Sequence, residues 1–329
     1  MNLREVSLSI YSFGYSAGFI HDRRPEAAMP VVTIDNILDL AQQHGLGGIE
    51  FPVDRYFKTE ELEKAHNFIR RILDKGMHVA VDLEDFQPAY IRALLPILSR
   101  SGLKFVRIKM SGFYGGNRYR EPAFSQWLSN FVEGLRSLQP DLHDSGIKLL
   151  IENHQDLGAD DLARIIGATS SDCVGINWDI GNSLAVLDTP ETFLRKAGDF
   201  IGNVHLKDYR LFRCEGGFYL SRCSLGRGVV DFAMLLPELR RRQGTIPMAI
   251  ELGAQQARQA DVFTNAYWEA YPPYAVTEKL EFFSFLDSHL LNGDGWKGVW
   301  ELNLPGQAIV ESEMKELQDS IAFLKALRI

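Results

Sequence analysis

Short apolar runs alternate along the chain with longer segments whose apolar residues fall three and four positions apart. The first pattern is that of a buried strand and the second that of an amphipathic helix. The strands it predicts are Val6–Ile10, Gly48–Phe51, His78–Leu83, Phe105–Met110, Lys148–Asn153, Val174–Asp179, Gly202–Leu206 and Pro247–Leu252. Several are almost continuously apolar, as in Ile147-Lys-Leu-Leu-Ile151, which suits parallel strands covered on both faces. Between and after them lie predicted helices. The first, Ile34–Leu40, has Thr33 as N-cap and stops by Gly45. The others are Glu60–Lys75, Gln87–Ser101, Phe124–Leu138, Ala159–Ile166, Thr189–Ala197, Phe232–Arg242 and Val276–Leu291.

Eight strand–helix units in one chain predict an α/β protein, a (β/α)8 TIM barrel spanning residues 1–291. A doubly wound nucleotide-binding sheet is the alternative, but its signatures are missing. The first strand leads into Ser12-Phe-Gly-Tyr15 rather than GxGxxG, and no GxxxxGK[ST] occurs. Residues 292–329 read as a loop carrying Trp296 and Trp300, then a helix from Glu311 to Leu327. Its apolar positions Met314, Leu317, Ile321, Leu324 and Ala326 lie near helical spacing. That stripe predicts a helix packed on the barrel or at an oligomer contact.

Composition narrows the partners. The 329 residues are 46% hydrophobic and 24% charged, ordinary for a globular chain. A net charge of −8 leaves no basic footprint for a nucleic acid. Cys173, Cys214 and Cys223 form no CxxC pair, so neither a disulfide framework nor a thiolate zinc site is expected. The segment Met1–Phe19 carries Arg4 and Glu5 and has no apolar core of signal-peptide length. No window approaches the roughly 18 apolar residues of a membrane span. The expectation is a soluble, cytoplasmic protein with no membrane or nucleic-acid partner.

Chemistry in such a barrel belongs at the carboxyl ends of the strands. The fifth to eighth predicted strands end on Glu152, Asp179, His205 and Glu251, at successive spacings of 27, 26 and 46 residues. In a closed barrel these ends are neighbours and can meet at one point. Three carboxylates and an imidazole make a hard ligand set suited to Mn²⁺ or Mg²⁺, with Co²⁺ or Zn²⁺ also admitted. Read singly, each is equally a salt-bridge or core residue. Four in succession favour one divalent site.

The wording around these positions is more specific. Gly48-Ile-Glu-Phe51, Ile151-Glu-Asn-His154, Trp178-Asp-Ile-Gly-Asn182, His205-Leu-Lys-Asp208, Leu225-Gly-Arg-Gly-Val-Val-Asp-Phe232 and Ile250-Glu251 resemble the xylose isomerase-like barrels, in particular the sugar phosphate isomerase/epimerase group. The resemblance runs from the first strand to the eighth and leaves out Ala254–Tyr274 and the last 38 residues. It implies that Glu152, Asp179, His205 and Glu251 bind a divalent metal, Mn²⁺ foremost. It also implies proton abstraction beside a sugar carbonyl through a metal-stabilised enediolate, with Glu152 and Glu251 as the acid/base pair.

Two positions depart from the free-ketose epimerases. Asn182 stands where they carry a His, and Gly158 where they carry a substrate-binding Glu. The grip on substrate is therefore expected to differ, with Asn182, Lys207, Asp208, Arg210 and Glu50 as candidates. His154 is read as a second acid/base or, equally, as a loop cap. Lys207 is expected either to face away from His205 or to enter the mouth, and either to touch substrate or to pair with Asp208. Two segments look like lids: Phe212–Arg227, and the aromatic run Asn265–Tyr274 with Trp268. The leading expectation is an isomerase or epimerase of a sugar, sugar derivative or cyclitol, in a chain that is monomeric or a homo-oligomer. A lyase of the same group, a dehydratase or keto-glycoside-cleaving enzyme, shares the first proton transfer and stays open. An apurinic endonuclease-like activity or a non-catalytic sugar-binding barrel is more remote.

Overall fold

The computed structural model describes residues 1–20, 31–120, 124–253, 255–272 and 276–328. Its strands, in chain order, are β1 (Val6–Ser9), β2 (Gly48–Pro52), β3 (His78–Asp82), β4 (Phe105–Ile108), β5 (Lys148–Glu152), β6 (Val174–Asp179) and β7 (Ile201–Leu206). Then come β8 (Asp208–Cys214), β9 (Gly217–Cys223), β10 (Met248–Ile250), β11 (Arg258–Ala260) and β12 (Leu290–Leu291). Strands β1 to β7 and β10 close into a parallel barrel in the order β1-β10-β7-β6-β5-β4-β3-β2. The predicted (β/α)8 architecture is the one observed. The strand residues turned toward the helices are aliphatic: Leu8, Ile49, Val81, Val106, Ile151, Ile176, Val204 and Ile250 are all sealed from solvent. Alternate positions such as Glu50, Asn177 and Asn203 point inward and hydrogen-bond across the barrel.

Most helices lie where the period-3.6 pattern put them, among them Leu62–Leu73, Pro88–Ser101, Ala159–Ala168 and Phe232–Gln243. One runs longer than expected. The helix Phe124–Ser145 continues through Pro140, because Leu138 and Leu142 are buried on either side and hold that turn against the barrel. Tertiary packing there outweighs the local cost of proline.

The larger departure follows β7. The segment expected to be a lid loop is a β-hairpin, β8 pairing antiparallel with β9 from Asp208↔Cys223 to Cys214↔Gly217. With β11 and β12 it forms a second, four-stranded sheet in the order β11-β9-β8-β12. This sheet has its own apolar cluster, built on Tyr209, Leu211, Phe218, Leu220, Val262, Tyr267, Tyr271, Phe282 and Leu286. Gly217 lies so close to β11 that a Cβ there would stand 1.8 Å from the Ala260 carbonyl oxygen. Only glycine lets the two strands approach this way.

The last helix runs from Gly306 to Ala326, five residues earlier at its start than expected, with Pro305 before its first turn. It buries Ile309, Leu317, Ile321 and Leu324 together with Glu313. The Glu313 carboxylate accepts from the Tyr15 and Ser16 amides (2.8 and 2.9 Å) and from the Ser16 hydroxyl (2.5 Å). Residues after β1 are thereby tied to the chain's last helix. Among the described residues no helix is long and apolar enough to cross a membrane.

Candidate metal and substrate site

The strand ends place their side chains by register. Asp179 pairs with His205 across β6 and β7, and Glu152 with Asn177 across β5 and β6. Asn153 fixes this corner from both sides. Its amide oxygen accepts from the Asp179 N–H (2.7 Å) and its NH2 donates to the Asp179 carbonyl (2.9 Å). On the far side, the Ser12 hydroxyl donates to the Ile250 carbonyl and accepts from the Leu252 amide, locking the end of β10 to the turn after β1. Just beyond, Gly253 donates its amide to Glu251 Oε1 at 2.7 Å, an approach that a Cβ on Gly253 would block at 2.3 Å.

The result is a buried cluster at the carboxyl end of the barrel. One ligand atom each of Glu152, Asp179 and His205 falls within 4.8 Å of the other two. His205 Nδ1 lies 3.7 Å from Glu152 Oε2 and 3.9 Å from Glu251 Oε2. Glu152 Oε1 and His205 Nδ1 are shut off from solvent and make no hydrogen bond. Sealed donor atoms aimed at one gap carry a desolvation cost that a cation would cancel. The donor set fits a divalent ion.

Glu251 stands beside this trio with its carboxylate turned to the Lys207 ammonium. Lys207 also reaches Asp179 Oδ2 at 2.8 Å. It thus shares the face of His205, as alternation requires of positions two apart, and enters the mouth. Of the two alternatives read from the sequence, substrate contact or a pair with Asp208, the pair does not form. Asp208 is occupied elsewhere, accepting the amides of Tyr209, Gly226, Gly228 and Val230 at 2.9–3.1 Å.

Charges sit close enough here to shift one another. Burial pushes Asp179 up to about 8, with Lys207 opposing. Burial likewise raises Glu152, but Arg107 and His205 outweigh it and hold the carboxyl at about 2. For His205 burial works downward, and Glu50, 2.8 Å from its Nε2, overcomes it to about 9. Burial carries His154 down to about 3, a neutral imidazole.

Above the cluster is a cavity of about 250 Å³. Of the residues singled out in the sequence, Glu152, His154, Asn182, Lys207 and Glu251 line it. Asp179, His205 and Glu50 lie buried alongside those ligand candidates. Three do not join them. Asp208 clamps the loop described above, and Arg210 donates to the Gly295 carbonyl (3.4 Å). Trp268 donates to the Val262 carbonyl and packs on Tyr267 and Phe283 in the second apolar cluster. The aromatic run is therefore largely core of the accessory sheet, with Pro273, Tyr274 and Ala275 outside the described residues.

Other site residues escaped the sequence pattern. Arg107 of β4 is buried between the carboxylates of Glu152 and Asp82, the latter at 3.6 Å, and lies over the Tyr11 ring. A lone arginine inside the apolar run Phe105–Met110 was the available signal. Gln155 sits at φ +67°, uncommon for a side-chain-bearing residue. It donates to Asn182 Oδ1 (3.0 Å) and the Tyr209 hydroxyl (3.1 Å), bracing the cavity wall. Lys109, Tyr114 and Arg258 also line the cavity. A larger cavity of about 670 Å³, with Phe86, Trp127 and Phe131 in its walls, shares Glu84 and Lys109 with the first.

A closed parallel barrel with a buried acidic–imidazole cluster at its carboxyl end defines a class, and comparison with known proteins gives the family. Residues 38–268 match the xylose isomerase-like TIM barrels, and the chain belongs to that family. The 3-oxo-isoapionate decarboxylase of Pectobacterium atrosepticum is 24% identical over 250 residues, covering 75% of this chain and 84% of its own. Among solved structures, a xylose isomerase domain protein from Planctomyces limnophilus superposes with a TM-score of 0.58 at 15% identity, covering 98% of this chain and 96% of its own. The 3-keto-D-glucoside 4-epimerase of Escherichia coli gives 0.53 at 17%, covering 80% and 97%.

Proposed function

We propose that the protein is a divalent-cation-dependent enzyme that moves a proton at the carbon beside a carbonyl of a sugar derivative, epimerising or isomerising it. The observation that carries this reading is the approach of two glutamates, Glu152 and Glu251, to the same imidazole from separate strands. Glu152, Asp179 and His205 would hold the ion, with Glu251 as fourth donor once it turns from Lys207. The ion, Mn²⁺ foremost, supplies Lewis acidity to the carbonyl and its neighbouring hydroxyl. The chain's own groups do the rest. A carboxylate oxygen of Glu251 would take the proton from one face, and the Glu152 carboxylate, ionised at rest, would relay one from water to the other. Lys207, beside Glu251, steadies the negative charge that develops. Tyr11, Phe19 and Tyr114 wall the cavity and limit water.

A second reading, a lyase, draws on His154. It lines the cavity as a neutral imidazole whose Nδ1 makes no hydrogen bond, so a ring N–H there would hydrogen-bond the oxygen of a leaving group. The decarboxylase relative also performs a carbon-bond cleavage. The deciding experiment is hydrogen–deuterium exchange in D₂O, followed by NMR over ketoses, keto-glycosides and sugar acids, with and without metal. Metal-dependent exchange that EDTA abolishes is expected. No exchange with any metal across the panel would remove the proton-transfer reading. In the same assay His154→Gln separates the two outcomes. A loss of about 10²-fold or more in kcat fits the lyase, and a raised KM with kcat kept fits the epimerase.

A further inference from the structure

Nearly every cation at the barrel mouth has its counter-charge. Arg107 lies between Glu152 and Asp82, and Lys207 between Asp179 and Glu251. Arg55 pairs with Glu84 at 3.0 Å and Arg222 with Glu316 at 2.6 Å. Two cations in the cavity lining differ. Among the described residues Lys109 and Arg258 have no ion pair and no hydrogen-bond partner, and Arg258 Nε is closed off from solvent. The chain carries a net charge of −8, so carboxylates to neutralise them are not scarce. Unpaired cations elsewhere, such as Lys75 and Lys104, are exposed and solvated, whereas these two are half-buried in a cavity wall.

Arg258 is held in place rather than left to wander, and Lys109 lines the same cavity. The Arg258 guanidinium lies 3.7 Å from the centroid of the Tyr114 ring, and that ring is 5.1 Å from His154. Stacking on an aromatic face fixes the plane of a guanidinium while leaving its N–H edge free for a bidentate acceptor. Lys109 follows directly on β4 and borders both cavities. Half-buried cations without partners cost free energy unless a ligand brings the opposite charge.

We propose that Lys109 and Arg258, with Tyr114 as platform, form a subsite for an anionic group of the substrate, a carboxylate or a phosphate, so that the cavity takes acidic rather than neutral sugar derivatives. The proposal rests on the reading that this cavity binds a sugar derivative. It assigns selectivity to residues separate from the buried acid/base cluster.

The test is calorimetric titration of the full chain, at low ionic strength, with D-glucose, D-glucuronate, D-glucose 6-phosphate and inorganic phosphate. An anionic sugar is expected to bind about tenfold or more tightly than glucose, with the margin shrinking as salt rises. Tighter binding of glucuronate than of the phosphate ester assigns the group as a carboxylate, and the reverse order as a phosphate. The double variant Lys109→Met/Arg258→Met should erase the margin, and Arg258→Lys should keep part of it. Melting curves establish that both variants are folded. Equal binding of glucose and the acids overturns the proposal, as does failure of every anionic probe to bind. A margin that survives in the double variant does so too. Deuterium exchange over the metal and sugar panel described above keeps the two readings apart. An acid-selective cavity without exchange across that panel ends the proton-transfer reading alone, and exchange without acid selectivity ends only the subsite.

Discussion

Arg107 is the residue on which the cluster's charge balance turns. It is 4% exposed and faces two carboxylates that are closed off from water. Replacing it by Met leaves Glu152 and Asp82 buried without their counter-ion, which should cost about 3–5 kcal/mol in a urea melt. Glu251 makes a different prediction. In Glu251→Gln an amide oxygen can still ligate but cannot take a proton, so turnover should fall by about 10² or more while metal stays bound. Metal analysis beside an exchange assay checks both halves. Near-normal activity would move the base to Glu152 or His154. At this scale the sequence was legible where an acidic or imidazole side chain closed an apolar run, as at Glu152, Asp179, His205 and Glu251. It was not legible for Asp82 and Arg107, because attention to the late strands leaves out the half of the ring formed by β1 to β4. Nor could it foretell that Asp208 would turn to four backbone amides, since three of those donors come from a loop some twenty residues on.

Among the elements, the final helix depends on one buried carboxylate. Glu313 holds Tyr15 and Ser16 through three hydrogen bonds, and its pKa is raised by burial against the pull of Arg222. A carboxyl whose folded pKa exceeds its unfolded one binds more protons in the folded state. Its contribution to stability therefore declines as pH climbs from the ordinary value of about 4.3 through the raised one. Glu313→Gln should flatten that part of the stability–pH curve, and Glu313→Ala should destabilise by about 2–4 kcal/mol through unpaired amides. Urea midpoints across that pH range measure both. The helix itself was legible from its apolar spacing. The β8–β9 hairpin was not, although Glu215-Gly216-Gly217 is a turn signal with Gly216 at φ +82°. Arginines at 213 and 222 interrupt the apolar face of Tyr209, Leu211, Phe218 and Leu220 that the ribbon buries.

The whole molecule joins two structures with separate cores. An aliphatic core packs the barrel strands against their helices around the buried polar cluster, and the accessory sheet has the Tyr- and Phe-rich cluster of its own. A cation bound only by the folded barrel should raise its Tm in proportion to the logarithm of free metal, by mass action. Scanning calorimetry with added Mn²⁺ should show that rise in the native chain, and Asp179→Asn should abolish most of it.

The hairpin leaves β7 and returns beside the same point, since Asp208 pairs with Cys223 and its carboxylate also takes the amides of Gly226 and Gly228. A chain that departs and re-enters at one spot can be lengthened, shortened or exchanged without disturbing the path of the barrel around it. Arg258 belongs to β11, which is paired to that hairpin, whereas Glu152, Asp179 and His205 are fixed to barrel strands. Inheritance can therefore conserve the reactive floor and redraw the roof above it, so that new substrates are acquired by editing an appendage while the chemistry beneath stays as it was.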